Sequence, residues 1–359
     1  MSALKKLKQA ALHSLKTVGA FRAVQDSAWR RGRLLILAYH GVSLDDEHRW
    51  DGALYLSAEL FRSRLLALKR TGAAVLPLGE AVERLYAGDL PDRAAVITFD
   101  DGNYDFHARA FPVIAEFGFP VTLYLTTFYS RFRRPVFDVF CSYLLWKAGA
   151  RTLDLHGLTG ADARFDLASA DARAAASADL RGFARDERLS AEEKDDLLRR
   201  LAARLDLDYE ELNGRRLLHI LNPEEVSELA AAGVDVQLHT HRHRTPSDRA
   251  LFRREVEDNR AEILSMTGRG ADHFCYPSGV YERAFLPWLG ELGVRSATTC
   301  EVGYASRESE RLLLPRLLDV SSLSAVEFEA WLTGVAAALP RRGGGGADAA
   351  YAAQTAARA

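Results

Sequence analysis

Cysteine and methionine are scarce in this chain, with three of the first and two of the second among 359 residues. Cys141, Cys275 and Cys300 lie far apart without CxxC spacing, which excludes a disulfide framework and a thiolate zinc site. No apolar run approaches the ~18 residues of a membrane-spanning helix, so none is expected. A dominant charge is also missing. Acids number 49 and bases 47, a formal net charge of −2, which leaves no global field to steer the chain to nucleic acid. GxGxxG, GxSxG and HExxH do not occur; Gly268-Arg269-Gly270 meets His273 where a third glycine is needed. What is present is 48% hydrophobic and 27% charged, the composition of a globular protein rather than a disordered chain or a rod.

The charge is unevenly spread. Residues 1–33 hold eight bases against Asp26 alone, a local charge of +7. Lys16 and Arg22 interrupt the apolar residues, so the segment does not read as a signal peptide. Leu4, Leu7, Ala11, Leu15 and Val18 recur at helical spacing. Such an amphipathic helix either packs on its own domain or lies on an anionic membrane surface. The expected location is the cytoplasm, with peripheral contact at the inner membrane face as the second reading. At the other end, RRGGGGADAAYAAQTAARA reads as a flexible tail.

Between the ends, short apolar runs alternate with helical patterns. RLLILAY (33–39), AAVITF (94–99) and PVTLYLT (120–126) read as buried strands, with a further strand expected over 73–78. Residues 150–221 break the rhythm with 15 acids and 12 bases in 72 residues and read as helices with solvated faces. The rhythm resumes at Asn222-Pro223, a helix start, and continues through strands ending at His239 and Tyr276 to a last strand near 312–320. The expected organisation is a basic helix (1–33), an α/β body of parallel strands (34–149 and 222–337), a charged helical insertion (150–221) and a tail (338–359).

Polar residues cluster where apolar runs stop. In a parallel α/β barrel, these C-terminal strand ends share the face on which active sites are built. Asp100 and Asp101 end one strand, His239 and His243 follow another, and Tyr276-Pro277-Ser278-Gly279 ends a third. Imidazoles at i and i+4 with one carboxylate form a facial set of three ligands for a divalent metal, most readily zinc. Such an ion lowers the pKa of its water from about 15.7 to about 7.

The motifs resemble those of the polysaccharide deacetylases of the NodB-homology type (carbohydrate esterase family four). Thr98-Phe99-Asp100-Asp101-Gly102 matches the family's TFDDG, and His239-Thr240-His241-Arg242-His243 its H-[ST]-x-x-H. Phe274-Cys275-Tyr276-Pro277-Ser278-Gly279 resembles its R-x-P-[YF]-G with cysteine in place of arginine, and Leu37-Ala38-Tyr39-His40-Gly41-Val42 resembles its opening segment. The resemblance covers 34–149 and 222–337. It implies a distorted (β/α) barrel of about seven strands. Asp101, His239 and His243 would bind the metal, Asp100 would be the general base, and a backbone N–H near Ser278 would serve an oxyanion hole. Two departures stand out. Arg316 is the candidate to replace the missing arginine. The family's late Leu-x-His, source of its general acid, has no counterpart, which leaves His40 first and His241 or His273 behind it. The implied activity is removal of an N-acetyl group from an amino sugar, polymeric or lipid-linked. Hydrolysis of another acyl group such as formyl, or a non-catalytic carbohydrate-binding barrel, are the alternatives. The partner is an N-acetylated carbohydrate, and no nucleic acid is expected.

Overall fold

Seven short, mostly buried strands build the centre of the computed structural model, which describes residues 3–338. They are Leu35–Tyr39 (β1), Ala94–Phe99 (β2), Thr122–Leu125 (β3), Asp235–Leu238 (β4), His273–Cys275 (β5), Ser296–Val302 (β6) and Leu314–Leu318 (β7). All pair in parallel, in the order β1-β7-β6-β5-β4-β3-β2 and back to β1. The ring is thus closed, as the distorted (β/α) barrel requires, and no edge of it is left unpaired. β1 and β2 are in continuous register from Leu35↔Ala95 to Tyr39↔Phe99. Alternation along β2 sends Phe99 outward to stack on Tyr39 and meet Phe61 and Phe106, while Thr98 lies beside Arg316 within the barrel.

The strand expected over 73–78 shrinks to Ala74–Val75, which pairs with the N-terminal half of β2 below β3. Pro77 has no N–H to donate to a ladder, and a helix starts at Leu78. Asn222 accepts the N–H of Glu225 at 2.9 Å and the Glu225 carboxylate returns to the Asn222 N–H, a capping box with Pro223 at the first helical position. Ahead of the barrel, helix Ala3–Thr17 (α1) buries Leu12 and part of Leu15 against Phe21, Val326, Ala330 and Val335. The tail from residue 339 lies outside the described residues.

Residues 132–220 form a separate compact unit. Helices Phe137–Lys147, Ala170–Asp186, Ala191–Arg204 and Tyr209–Gly214 surround a core of Phe140, Tyr143, Leu144, Leu180, Leu197 and Leu201, beside a two-stranded ribbon of Thr152–Asp154 and Arg164–Asp166. This unit starts at Phe132, upstream of the charged stretch, because its first helix, Phe137–Lys147, is the apolar one on which the charged helices close.

Candidate active site

The β2 strand stops at Asp100, whose N–H still donates to the Tyr39 carbonyl. The chain then turns through two left-handed residues, Asp101 at φ 71° and Gly102 at φ 84°. Glycine suits the second, where the left-handed backbone strains any side chain and a Cβ would press on the Leu125 side chain. This turn sets the two carboxylates in different surroundings.

Asp101 Oδ1 lies 3.2 Å from Nε2 of His239 and 3.2 Å from Nε2 of His243, and one ligand atom from each of the three residues falls within 4.8 Å of the others. Two atoms bound at about 2.0–2.1 Å to a tetrahedral zinc stand about 3.3 Å apart, so the set fits such an ion. The chemistry of the donors points the same way. Nδ1 of His239 lies 2.8 Å from the Cys275 carbonyl, which can only accept, so that nitrogen carries the proton and Nε2 presents a lone pair. A lone pair and a carboxylate oxygen facing each other suit a cation between them. Burial pushes the Asp101 carboxyl up, but the neighbouring His243 and His239 imidazoles hold it well below the usual carboxylate range.

The histidine loop is held in a strained form. Thr240 and His243 both have positive φ, 61° and 55°. Two buried polar residues on helix Arg249–Thr267 secure it. Asn259 accepts the His239 N–H at 2.9 Å and donates to the Leu125 carbonyl and the Thr127 hydroxyl. Glu255 accepts the Arg242 N–H at 2.8 Å and Nε of Arg244 at 2.7 Å, and its backbone carbonyl takes the His241 N–H. Neither residue stood out in the sequence. Their signal was there: two polar side chains four apart, on one face of an expected helix.

Asp100 is gripped by Arg316. Nη1 and Nη2 reach Oδ1 and Oδ2 at 2.7 Å each, a bidentate pair in which the guanidinium has no exposure. Arg316 also donates to the Thr299 carbonyl and the Thr98 hydroxyl, and its Nη2 lies 3.1 Å from Sγ of Cys275. The guanidinium thus arrives from β7 beside the cysteine that stands in the arginine position of β5. Burial pushes the Asp100 carboxyl up, and Arg316 more than offsets it, so the group lies below its ordinary value. A second trio, Asp100, His239 and Cys275, is also close enough to share an ion. Arg316 already occupies both Asp100 oxygens, and burial holds the Cys275 thiol well above its ordinary value and therefore protonated, a poor ligand.

The remaining sequence candidates separate. His40 is buried with Nε2 3.9 Å from Oδ2 of Asp100, and burial lowers its pKa against the pull of Asp101 and Asp100. His241 turns its Nδ1 to the Thr127 hydroxyl and its ring edge to Phe128. His273 opens β5, the end of the strand opposite the site, and is bonded to Ser296. In the turn after β5, Tyr276 is fully buried and its hydroxyl donates to the Leu312 carbonyl. Pro277 is also buried. Ser278 and Gly279 are left-handed at φ 56° and 68°, and a Cβ on Gly279 would meet Cβ of Cys300 at 2.7 Å. The N–H groups of Tyr276, Gly279 and Val280 are bonded to Thr298, Tyr276 and Pro277 carbonyls. Proline has none, which leaves the Ser278 N–H as the donor of this turn.

A model of the polysaccharide deacetylase family matches residues 205–297. Of curated proteins, a poly-beta-1,6-N-acetyl-D-glucosamine N-deacetylase of Escherichia coli is 26% identical over 96 residues, which span 26% of this chain and 14% of that protein. The Streptococcus pyogenes deacetylase PplD, solved in complex with acetate, superposes with TM-score 0.53 at 19% identity over 82% of this chain and 96% of its own. IcaB from Ammonifex degensii does so with TM-score 0.51 at 17% identity, over 84% and 97%. The closed parallel barrel with its surrounding helices is the fold of this class. The match over residues 205–297 is to the polysaccharide deacetylase family, and the barrel fold is shared with solved deacetylases.

Proposed function

We propose that this protein is a metal-dependent hydrolase that removes the N-acetyl group from an amino sugar of a polysaccharide or lipid-linked glycan precursor. The observation that carries the reading is the convergence of Asp101, His239 and His243, with the His239 tautomer fixed by a backbone carbonyl. A divalent ion held by these three residues, zinc being the best fit to two imidazoles and a carboxylate, supplies Lewis-acid activation of water and of the amide carbonyl at neutral pH.

The chain's own groups do the rest. Asp100, ionised and oriented by Arg316, takes the proton of the attacking water as general base. The Ser278 N–H donates to the oxygen that gains negative charge as the carbonyl is attacked; one such donor is worth about 3–4 kcal/mol. In this reading His40 returns a proton to the departing amine, which its Nε2, 3.9 Å from Asp100, supports. The poly-beta-1,6-N-acetyl-D-glucosamine deacetylase name of the matched relative supports a polymer of N-acetylated amino sugars as the substrate class.

The test separates metal binding from proton transfer. Asp101→Ala and His239→Ala lose zinc and acetate release together. Asp100→Asn keeps zinc and loses about 10²–10⁴ in turnover. Full turnover by Asp100→Asn removes Asp100 as base, and zinc retained by both other variants removes the metal centre.

A further inference from the structure

Helix α1 is clamped in one rotation. Leu12 is buried beneath it, Lys5 donates to the Ser322 carbonyl at 2.7 Å, Lys8 pairs with Glu327 at 3.0 Å, and Lys16 pairs with Glu329. These contacts turn a second stripe outward. Leu4, Leu7 and Val18 are 65%, 68% and 77% exposed, and Ala11 and Ser14 fill the spacing between them. The sequence joins Leu15 to this stripe, but the fold uses Leu15 on the packed side.

The charge of the segment that carries the stripe is mostly of one sign. Lys6, Arg22 and Arg31 are exposed in the same segment, and its one acid, Asp26, is paired with Arg93 at 2.6 Å and lies 3.9 Å from Arg22. Glu327 and Glu329 are engaged by the lysines of α1 itself. Among the described residues no helix is long and apolar enough to cross a membrane.

From this juxtaposition we propose that the outer face of α1 docks on an anionic phospholipid surface, with Leu4, Leu7 and Val18 entering the headgroup boundary and the surrounding bases meeting lipid phosphates. A shallow apolar stripe flanked by bases is the build of an interfacial helix. Three large apolar side chains are too few for the core of a stable protein interface of ~800 Å² per partner. A second copy of the chain would also bring its own +7 segment against this one.

The full chain is tested by flotation with vesicles of phosphatidylcholine containing about 30 mol% phosphatidylglycerol, and with phosphatidylcholine alone. The expected result is binding to the anionic vesicles at least about tenfold stronger, weakened as NaCl rises from about 0.1 to 0.5 M. The triple variant Leu4→Asp/Leu7→Asp/Val18→Asp should lose at least about tenfold in binding while its circular dichroism and zinc content stay those of the parent. Equal binding to both vesicles, or unchanged binding by the triple variant, overturns the proposal. So does a parent protein that sediments as a dimer which the triple variant dissociates, because a second copy would then cover the face.

Discussion

Replacing Arg316 by alanine tests the logic of the site most directly. The guanidinium makes both 2.7 Å bonds to Asp100 and also reaches the Thr299 carbonyl at 3.0 Å and the Thr98 hydroxyl at 3.2 Å. Removing one partner of so buried a pair costs about 3–5 kcal/mol, because the other charge is left without compensation. Asp100 then relieves the cost by taking up a proton, and a protonated carboxyl cannot act as base. Arg316→Ala should therefore unfold at lower denaturant, retain zinc on Asp101, His239 and His243, and lose about 10²–10⁴ in turnover. A second change makes the test specific. Sγ of Cys275 lies 3.5 Å from Oδ2 of Asp100 and 3.1 Å from Nη2 of Arg316, so an arginine at 275 can occupy the emptied space. Cys275→Arg added to Arg316→Ala should recover turnover by at least about tenfold, a base-dependent gain that better packing alone does not produce. The assays are acetate release from an N-acetylglucosamine oligomer, zinc per chain and urea denaturation. Full turnover in Arg316→Ala refutes the reasoning. So does a folded, zinc-loaded double variant no faster than the single one.

Glu255→Ala should weaken zinc binding about 10–100-fold by releasing the strained loop at Thr240 and His243, with Glu255→Gln milder; competition with a chelator measures it, and parental affinity in Glu255→Ala removes its positioning role. Burial pushes the Glu327 carboxyl up, but the Ser324 hydroxyl and Lys8 more than offset this and bring it to about 2. Because the folded value lies below the unfolded one, its stabilisation is present above about pH 4.5 and is lost as pH falls toward about 2. With Lys8 half-exposed, the contribution is about 1–3 kcal/mol. The stability difference between the parent and Glu327→Gln should shrink across that window, measured by denaturation as a function of pH. A difference that does not change with pH contradicts the pairing.

The parts of the site legible in the sequence are those in which a residue type and its position on a strand coincide. Asp100 and Asp101 follow a strand that is apolar but for Thr98, and His239 follows the alternating strand Asp235–Leu238, so parallel pairing alone brings them to one end of the barrel. Residues that act from helices are harder to read. Glu255 and Asn259 sit in RREVEDNR, where charge on a helix ordinarily faces water, and only the loop packed on them shows that these two are buried. The burial of Tyr276 was hidden for another reason: it belongs to the turn, but its ring packs on Phe274 and Tyr281. The rotation of α1 was equally hidden. Two apolar stripes overlap on it, and Lys5, Lys8 and Lys16 select between them by reaching partners more than 300 residues away.

Arg316 shows how a broken motif can keep a guanidinium on the same carboxylate. Orienting Asp100 requires a guanidinium at one place in the barrel interior, and sequence position matters only through the strand that delivers it. β5 and β7 are separated in the ring by β6 alone, and Cys275 and Arg316 both present their side chains to the Asp100 carboxylate. An arginine entering from either strand can therefore meet the same oxygens. Once it enters from β7, position 275 must be small, because Sγ of Cys275 is already in contact with the guanidinium. The cysteine and the arginine are two halves of one change, and arginine at 275 with Arg316 retained should be the worst of the four combinations, since it places two buried cations on one carboxylate.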